Sequence, residues 1–328
     1  MGGDHAPGEI VAGAVQAHAD GVHVLLVGAE GRVKEALDAA GASLDERLEI
    51  VDAQDVIAMD DPDPARSVRS KRSSSVALAS RLVKEGRADA VFSAGSTGAA
   101  LAAGVLEVGR IRGVARPGLA VVLPFRERPT VLIDVGANAD VRPEHMAGFA
   151  LLGSVFAEIT LALPSPRIGL LSIGEEPGKG SELAREAFGL VGGAVPRFVG
   201  NVEGRDIPTD GVDVVVTDGF TGNVVLKTLE GFGRFLMNEL LEVFSATEEA
   251  KAAAEVLMPG LLQLAGTLSP DSYGGAHLLG VKGVCIIGHG SSNAEAVRNA
   301  LRIASSTVEA GLVGAVVDRL SRAKEGPS

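Results

Sequence analysis

The chain has 328 residues, of which 46% are hydrophobic and 22% charged, so it can bury a sizeable core and is not globally disordered. Its net charge of −12 and its single Tyr argue against a nucleic-acid-binding surface, which needs basic charge or stacking aromatic rings. The lone Cys285 excludes an internal disulfide, and no apolar stretch reaches the roughly 18 residues of a membrane span. We therefore predict a cytoplasmic protein.

The chain opens with MGGDHAPGEI, an unusual concentration of glycine, aspartate, histidine and proline for a terminus. An unanchored end gains nothing from special backbone geometry. A frayed end, a metal-binding fragment and an active-site loop are the three interpretations. Asp4 and His5 have no cluster of further ligands beside them, so we predict no metal site.

Short apolar runs alternate with amphipathic stretches along the chain. The runs are continuous rather than alternating, as expected of parallel strands buried on both faces. The predicted strands are 22–28, 48–53, 88–95, 119–124, 129–136, 167–174, 212–219 and 282–290. The clearest predicted helices are 31–41, 75–86, 144–162 and 181–192. This order predicts an α/β fold with a doubly wound, mostly parallel sheet.

Three predicted strands end in glycine and small polar residues and then enter a helix: FSAGSTGAAL, VTDGFTGNVVL and IIGHGSSNAEAV. Ligands of open α/β sheets bind at the carboxyl ends of strands, and helix N-termini attract anions. We therefore predict a phosphate or carboxylate site. Ser292 and Glu295 have the spacing of a capping box, which places a helix start there. The sequence has neither a P-loop nor a clean G-x-G-x-x-G fingerprint.

The second of these turns supplies the first candidate ligands. Thr221, Gly222 and Asn223 could bind phosphate through backbone N–H groups and side-chain donors, although a capped helix alone would also explain them. Lys227 lies one helical turn beyond Asn223 and could point the same way, or could be a solvated helix lysine.

Other candidates come from the remaining glycine-rich loops. Ser96 and Thr97 could line the site, as could Asn138, whereas Asp134 is interpreted as a residue that braces its loop or caps a helix. Lys179 in GEEPGKGS could bind phosphate or stabilise an oxyanion, or could be a solvated loop lysine.

Two surface features are also distinctive. Arg66, Arg69 and Arg72 recur at a spacing of three and could share one helical face, which is either solvated or a docking surface. A second amphipathic stretch, 229–244, is followed by an apolar segment that we expect Pro259 and Gly260 to break. The residues on its apolar stripe are Leu229, Phe232, Leu236, Leu240 and Phe244.

The motifs together resemble those of the PlsX family of bacterial phosphate acyltransferases. The matching stretches are MGGDHAP (1–7), AGSTGA (94–99), DVGAN (134–138), IGEEPGKG (173–180), DGFTGNVVLKTLEG (218–231), YGGAHLLG (273–280) and HGSSN (289–293). The family usually has Asn at the position of Ser96. It also has an apolar strand ending in Asp before the first of these motifs, so we expect Met1 to be an internal methionine, with Pro7 starting a helix after the first loop.

The resemblance implies two α/β lobes related to the phosphotransacetylases and to the isocitrate and isopropylmalate dehydrogenases, usually in a homodimer. We place residues 1–120 with 275–328 in the first lobe. Residues 121–274 then form the second lobe, with a helical hairpin near 229–268. The hairpin is interpreted as core, as dimer interface, or as a surface that touches the membrane weakly.

The implied reaction moves a long fatty acyl group from acyl carrier protein onto inorganic phosphate, without a cofactor. The product then passes to a membrane glycerol-3-phosphate acyltransferase. Lys179, Asn223 and His289 become the catalytic candidates, with Asp4 and Ser291 added to the phosphate ligands. His289 could protonate the leaving thiolate, bind phosphate, or support another residue. The three arginines become candidates for docking the acidic carrier protein.

Three other functions remain possible at this point. The first is a phosphotransacetylase that uses short acyl-CoA. The second is a metal- and NAD(P)-dependent decarboxylating dehydrogenase of the same fold. Asp206 and Asp210, four residues apart, resemble the acidic metal pair of those dehydrogenases, but Pro208 between them disfavours a shared helix face. The third is a non-catalytic regulator that binds a metabolite.

Overall fold

The computed structural model describes residues 1–125, 128–268 and 274–325, which leaves Tyr273 of the YGGAHLLG motif outside the described residues. The α-helices are α1 (Gly8–Ala19), α2 (Glu30–Ala39), α3 (Pro64–Ser70), α4 (Ser75–Lys84), α5 (Thr97–Ala103), α6 (Pro143–Thr160), α7 (Glu182–Ala194), α8 (Gly219–Ser245), α9 (Glu248–Leu268), α10 (Ala294–Glu309) and α11 (Leu312–Glu325). The strands are β1 (Val24–Gly28), β2 (Leu48–Asp52), β3 (Ala90–Ser93), β4 (Gly118–Leu123), β5 (Thr130–Ile133), β6 (Ile168–Leu171), β7 (Phe198–Val202), β8 (Val214–Val216), β9 (Ala276–Leu279) and β10 (Val284–Ile287).

Most of the strands belong to one sheet. Eight strands are joined in the order β3-β10-β9-β4-β5-β8-β6-β7, while β1 and β2 pair in parallel as a separate sheet. β5, β8, β6 and β7 are parallel to one another, as are β3 and β10. The antiparallel pairs β10–β9, β9–β4 and β4–β5 lie between these two groups. The prediction of a mostly parallel α/β sheet is confirmed, but β10 runs opposite to β8.

The core lies on both faces of this sheet. Every residue of β4 and β5 is buried, as continuous apolar runs predict. Ile133 packs in a hydrophobic cluster with Phe149 and Phe156 of α6. The preceding residue of β5, Leu132, points to the other face of the sheet and packs in a second cluster with Leu226 of α8. Full burial of a Leu or Phe side chain stabilises the fold by about 1.5–3 kcal/mol. The sheet therefore holds α8 against one face.

The predicted elements are largely present. All eight predicted strands and the four predicted helices form, with slightly different ends. β7 and β9 were not predicted. The expected division into lobes stays a prediction, since its boundary at residue 120 falls inside β4.

Three local predictions are wrong. α9 runs through Pro259 instead of breaking there. The N-cap of α10 is Asn293, whose side chain accepts from the Ala296 N–H at 2.9 Å, and not Ser292. α1 begins at Gly8, with Pro7 as its N-cap residue rather than its first helical residue.

A cavity of about 420 Å³ is lined by residues of both sheets. Its lining includes residues of β1 and β3, together with Met1–Gly3. The Met1 side chain packs so closely on Gly28 that a Cβ there would lie 2.6 Å from the Met1 Cγ atom. The expected strand upstream of Met1 stays a prediction.

In the described parts of the chain, no single helix has both the length and the apolar character to cross a membrane. One pair, 294–309 with 312–322, passes that test together but is bent by 46°.

Candidate active site

The first part of the site is the start of α8, which follows β8 directly. Asp218 caps the helix: its carboxylate accepts from the Thr221 N–H at 2.8 Å and from the Thr221 hydroxyl at 2.7 Å. The Gly222 N–H donates to the Asp218 carbonyl at 2.9 Å. The expectation that Thr221 and Gly222 offer free N–H groups to phosphate is therefore corrected, because the helix cap already uses both.

Gly222 has a packing role instead. A Cβ at this position would lie 1.8 Å from the carbonyl oxygen of Asp134, closer than any contact that two such atoms can make. A glycine is needed here because the first turn of α8 presses against the loop that follows β5.

We expect Gly222→Ala to lower the free energy of unfolding by about 1–3 kcal/mol, since the backbone must move to admit the methyl group. Chemical denaturation followed by circular dichroism measures this loss. Gly233→Ala is the matched control on the same helix, because a Cβ at Gly233 meets nothing within 4 Å. Equal stability of the two variants would contradict the close contact.

The loop after β5 is organised by the fully buried Asp134. Its carboxylate accepts from the N–H groups of Leu119, Gly136, Ala137 and Asn138, and from the Asn138 side-chain amide. Burial raises the pKa of Asp134 above its ordinary value, although these donors oppose the shift. The interpretation of Asp134 as a loop-bracing residue is confirmed.

Asn138 also braces the loop. Its Nδ2 donates at 2.8 Å both to Asp134 and to the Pro117 carbonyl, and its own carbonyl accepts from the Gly219 N–H. Both protons of this amide group are therefore used by acceptors of the protein itself, and the expectation that Asn138 lines the site stays a prediction.

The second part of the site lies two turns further along α8, where the turn after β10 approaches the helix. Lys227 Nζ lies 2.9 Å from Oε2 of Glu230 and 3.5 Å from Nε2 of His289. The same His289 nitrogen lies 3.5 Å from Oε1 of Glu230. Lys227 and His289 are about half exposed, whereas only 11% of the Glu230 side chain is exposed.

The electrostatics of Glu230 follow from these neighbours. Burial alone would raise its pKa, but the interactions with His289 and Lys227 outweigh it and lower the pKa to about 2. Glu230 is therefore an ionised carboxylate at neutral pH, held between an ammonium group and an imidazole.

The first residues of the chain lie against the same turn. The Asp4 N–H donates to the Gly290 carbonyl at 2.8 Å. A Cβ at Gly290 would lie 3.1 Å from the Asp4 carboxylate, so this side chain sits beside the peptide that follows His289. Ser291 is exposed on the same turn. The structure thus brings Asp4, Ser291, His289 and Lys227 into one region.

Asn223 connects the two parts of the site. It is exposed, one turn before Lys227, and its Oδ1 lies 3.7 Å from where a Cβ of Gly136 would be. Its side chain therefore faces the loop that Asp134 organises.

Two further candidates lie at the start of α5. Ser96 is buried and caps the helix by accepting from the Ala99 N–H at 3.4 Å, while Thr97 is exposed. The loop before them touches the N-terminal segment, since a Cβ at Gly2 would lie 3.2 Å from the Cα of Gly95. Ser96 thus shapes the loop, and Thr97 presents its side chain to solvent.

Lys179 lies in the exposed loop between β6 and α7. Because β6 is parallel to β8 and next to it, this loop leaves the sheet at the same edge as Asp218. The structure thus places Lys179 at the edge of the sheet where α8 begins.

The basic segment differs from the prediction. α3 ends at Ser70, so Arg72 lies beyond it and the three arginines do not share one helical face. Arg66 and Arg69 are exposed on α3, and Pro64 of that helix contacts the first turn of α5 at Gly98. The two arginines of α3 therefore sit close to the Thr97 turn.

Glu230 was not predicted as a site residue. The sequence feature that could have indicated Glu230 is its spacing of three residues from Lys227, which places both residues on one side of a helix. The contact with His289, 59 positions away, is visible only in the folded chain.

The described residues offer neither a metal-binding cluster nor a reactive cysteine. Across residues 1–125, 128–268 and 274–325, no group of three or more His, Cys, Asp or Glu side chains could hold a metal ion. Asp206 closes a short 3₁₀ turn by accepting from the Glu203 N–H at 2.8 Å. Cys285 is buried in β10, and burial raises its pKa to about 12, so it is a core residue with a protonated thiol.

Comparison with solved structures defines the class of fold. The chain aligns with a phosphotransacetylase from Streptococcus pyogenes at a TM-score of 0.63, covering 93% of this chain and 92% of that one, with 16% identity. The EutD phosphotransacetylase from Staphylococcus aureus gives a TM-score of 0.59, covering 90% and 89%, also with 16% identity. The protein has the phosphotransacetylase-like α/β fold.

Sequence comparison defines the family. Residues 1–314 match the family described as "Fatty acid synthesis protein". The chain is 47% identical over 324 residues to the phosphate acyltransferase of Desulfitobacterium hafniense, covering 98% of this chain and 96% of the relative. It is 47% identical to that of Thermus thermophilus over 322 residues, covering 98% and 97%. The chain belongs to this phosphate acyltransferase family and is an acyltransferase.

Proposed function

We propose that the protein transfers a long-chain fatty acyl group from acyl carrier protein to inorganic phosphate and so makes an acyl phosphate. The observation that carries the proposal is the group formed by Lys227, Glu230 and His289 in a chain of this family. An ammonium group and an imidazole, side by side and each about half exposed, can bind a phosphate anion that arrives from solvent.

The reaction needs no nucleophilic side chain. A phosphate oxygen attacks the thioester carbonyl carbon, the new C–O bond forms, and the C–S bond then breaks to release the carrier thiolate, which takes up a proton. Phosphate is itself nucleophilic near neutral pH. The buried Cys285 is unsuited to this role, because its raised pKa keeps the thiol protonated.

The reaction further requires that phosphate is oriented, that a proton is supplied and that the oxyanion is stabilised. Lys227 and Asn223 orient the phosphate, which is largely a matter of proximity. His289 supplies a hydrogen bond to phosphate or a proton to the thiolate. Lys179 supplies positive charge for the oxyanion of the tetrahedral intermediate. Asp4, Thr97 and Ser291 line the region around them.

Docking of the acidic acyl carrier protein falls to the basic segment of α3. Arg66 and Arg69 are exposed there, next to the turn that carries Thr97. We expect Arg69→Glu to raise KM for the acyl-carrier substrate about tenfold at low salt, since like charges then meet at the interface. The effect should shrink in high salt, which screens exposed charges.

Steady-state kinetics at two ionic strengths measure this change. Arg322→Glu makes the same charge reversal on the exposed surface of α11 and should leave KM unaltered. An unchanged KM for Arg69→Glu at low salt would remove α3 from the docking surface.

The helical hairpin of α8 and α9 fits a role in assembly or membrane contact. Large apolar side chains stand exposed along it, among them Phe232, Phe235 and Val243. Covering them in a homodimer would remove apolar area from water. Transient contact of this cytoplasmic protein with a membrane surface would help a water-insoluble product reach a membrane glycerol-3-phosphate acyltransferase.

The decisive experiment is phosphate-dependent release of free thiol from palmitoyl-acyl carrier protein, with the acyl phosphate identified by mass spectrometry. Thiol release that rises with phosphate concentration supports the proposal. Folded protein that releases none contradicts it.

The fold likeness to phosphotransacetylases makes short-chain acyl-CoA the second candidate donor. The same assay with acetyl-CoA and palmitoyl-CoA separates the two. A higher kcat/KM with acetyl-CoA than with palmitoyl-acyl carrier protein would favour the phosphotransacetylase reaction.

A further inference from the structure

We propose that Glu230 is a positioning residue that fixes the orientation and tautomer of His289 while it holds Lys227 at the phosphate site. This inference rests on the proposed function, since it assigns how two of the proposed ligands are kept in place.

The two oxygens of Glu230 have different surroundings. Oε2 accepts from Lys227 Nζ at 2.9 Å. Oε1 is buried and has no hydrogen-bond partner among the described residues, but His289 Nε2 lies 3.5 Å away. A buried carboxylate oxygen without a donor is costly, so a donor within reach is favoured. The imidazole N–H is placed to supply it after a small movement.

This arrangement selects one state of the imidazole. With its proton on Nε2, His289 donates to Glu230, and the unprotonated Nδ1 can accept the proton of a hydrogen phosphate as it attacks and then pass that proton to the leaving thiolate. Lys227 Nζ, 3.5 Å from the same Nε2, is only a donor and could pair with Nε2 only if the ring proton were on Nδ1. In that state the buried Oε1 of Glu230 would be left without a donor, so the Nε2–H form is favoured. Glu230 is therefore the group that decides which ring nitrogen carries the proton.

The charge of Glu230 suits this role. Its low pKa, about 2, keeps it ionised throughout the pH range in which phosphate transfer is measured. Two side chains approach its carboxylate: Lys227 from the same helix and His289 from the turn after β10. The carboxylate therefore binds together two segments of the chain that both carry proposed phosphate ligands.

The contact also follows from the sheet. Because β10 runs opposite to β8, the turn after β10 cannot meet the N-terminus of α8. It meets the helix at Lys227 and Glu230 instead.

The test compares Glu230→Gln with Glu239→Gln, which makes the same change at an exposed position of α8. Glu230→Gln keeps the size of the side chain and removes its charge. We expect kcat to fall at least about tenfold, as when the group that orients a functional histidine is removed, and KM for phosphate to rise. Glu239→Gln should match the parent protein.

A second readout does not depend on activity. With histidine labelled by ¹⁵N, two-dimensional NMR of the full chain reports which ring nitrogen of His289 carries the proton, and His289→Asn assigns the signal. We expect the Nε2–H form in the parent and in Glu239→Gln, and a shifted tautomer balance in Glu230→Gln. An unchanged signal in Glu230→Gln would overturn the proposal. A shifted signal with unchanged kcat and KM would overturn the positioning role.

The two proposals fail in different ways. If palmitoyl-acyl carrier protein gives no acyl phosphate with the parent protein, the proposed function fails, while the NMR comparison still tests the link between Glu230 and His289. If the parent is active and Glu230→Gln equals it in both readouts, only the present inference fails.

Discussion

Replacing Asp134 with alanine should lower the free energy of unfolding by at least about 3 kcal/mol, because four backbone N–H groups and one side-chain amide lose their buried acceptor together. Urea denaturation measures the loss. Asp134→Asn should not restore stability, since an amide has one acceptor oxygen where the carboxylate has two. Its NH₂ group would also face the N–H groups that now donate to Asp134.

The matched control is Asp140→Ala, which removes an exposed carboxylate from the same loop. It should change stability by no more than about 0.5 kcal/mol. A similarly small effect at Asp134 would mean that the loop after β5 does not depend on its central carboxylate. Because this loop packs on Gly222, loss of Asp134 should also disturb the start of α8.

His289→Ala should lower kcat for phosphate-dependent acyl transfer by about 10²-fold or more, the usual contribution of a positioned acid–base side chain. The protein should remain folded, because the ring is about half exposed. Thiol release from palmitoyl-acyl carrier protein measures the effect. Added imidazole should restore part of the activity if the ring transfers a proton.

His23→Ala serves as the control, since His23 is exposed and pairs only with Glu49 at the surface. Its kcat should equal that of the parent. Near-parental turnover of His289→Ala would exclude His289 from the mechanism and leave Lys227 and Asn223 as the phosphate ligands.

The sequence predicts the elements of the fold well where they are strongly apolar. Continuous runs such as 119–124 and 129–136 correspond to β4 and β5, which are buried at every residue. β7 was missed because FVGNV contains glycine and asparagine, residues depleted in strands. β9 was missed because four residues within a glycine-rich motif give too short a signal.

Strand direction could not be predicted in the same way. An apolar run looks alike in a parallel and in a fully buried antiparallel strand. The three antiparallel pairings β10–β9, β9–β4 and β4–β5 reverse the direction of β10 relative to β8, so not all glycine-rich turns meet at one edge. The sequence motifs therefore indicate a phosphate site but not its division into two parts along α8.

The individual site residues show the same limit. Thr221, Gly222 and Asn138 have the types expected of phosphate ligands, yet their donors are used within the protein. Glu230 looks like an ordinary helix glutamate, and its importance comes from a contact with a residue far along the chain. Local patterns report residue type and spacing, whereas the availability of a donor depends on tertiary contacts.

The eight-stranded sheet is continuous from β3 to β7, and this restricts how the part on the β4 side can move against the part on the β5 side. Four residue pairs, from Ala120–Ile133 to Leu123–Thr130, join β4 to β5 in the middle of the sheet. A hinge rotation of one half against the other would separate buried N–H and C=O groups from their partners, at a cost in free energy. Substrates should therefore gain access through movements of loops and surface helices, with the central sheet behaving as one rigid plate during turnover.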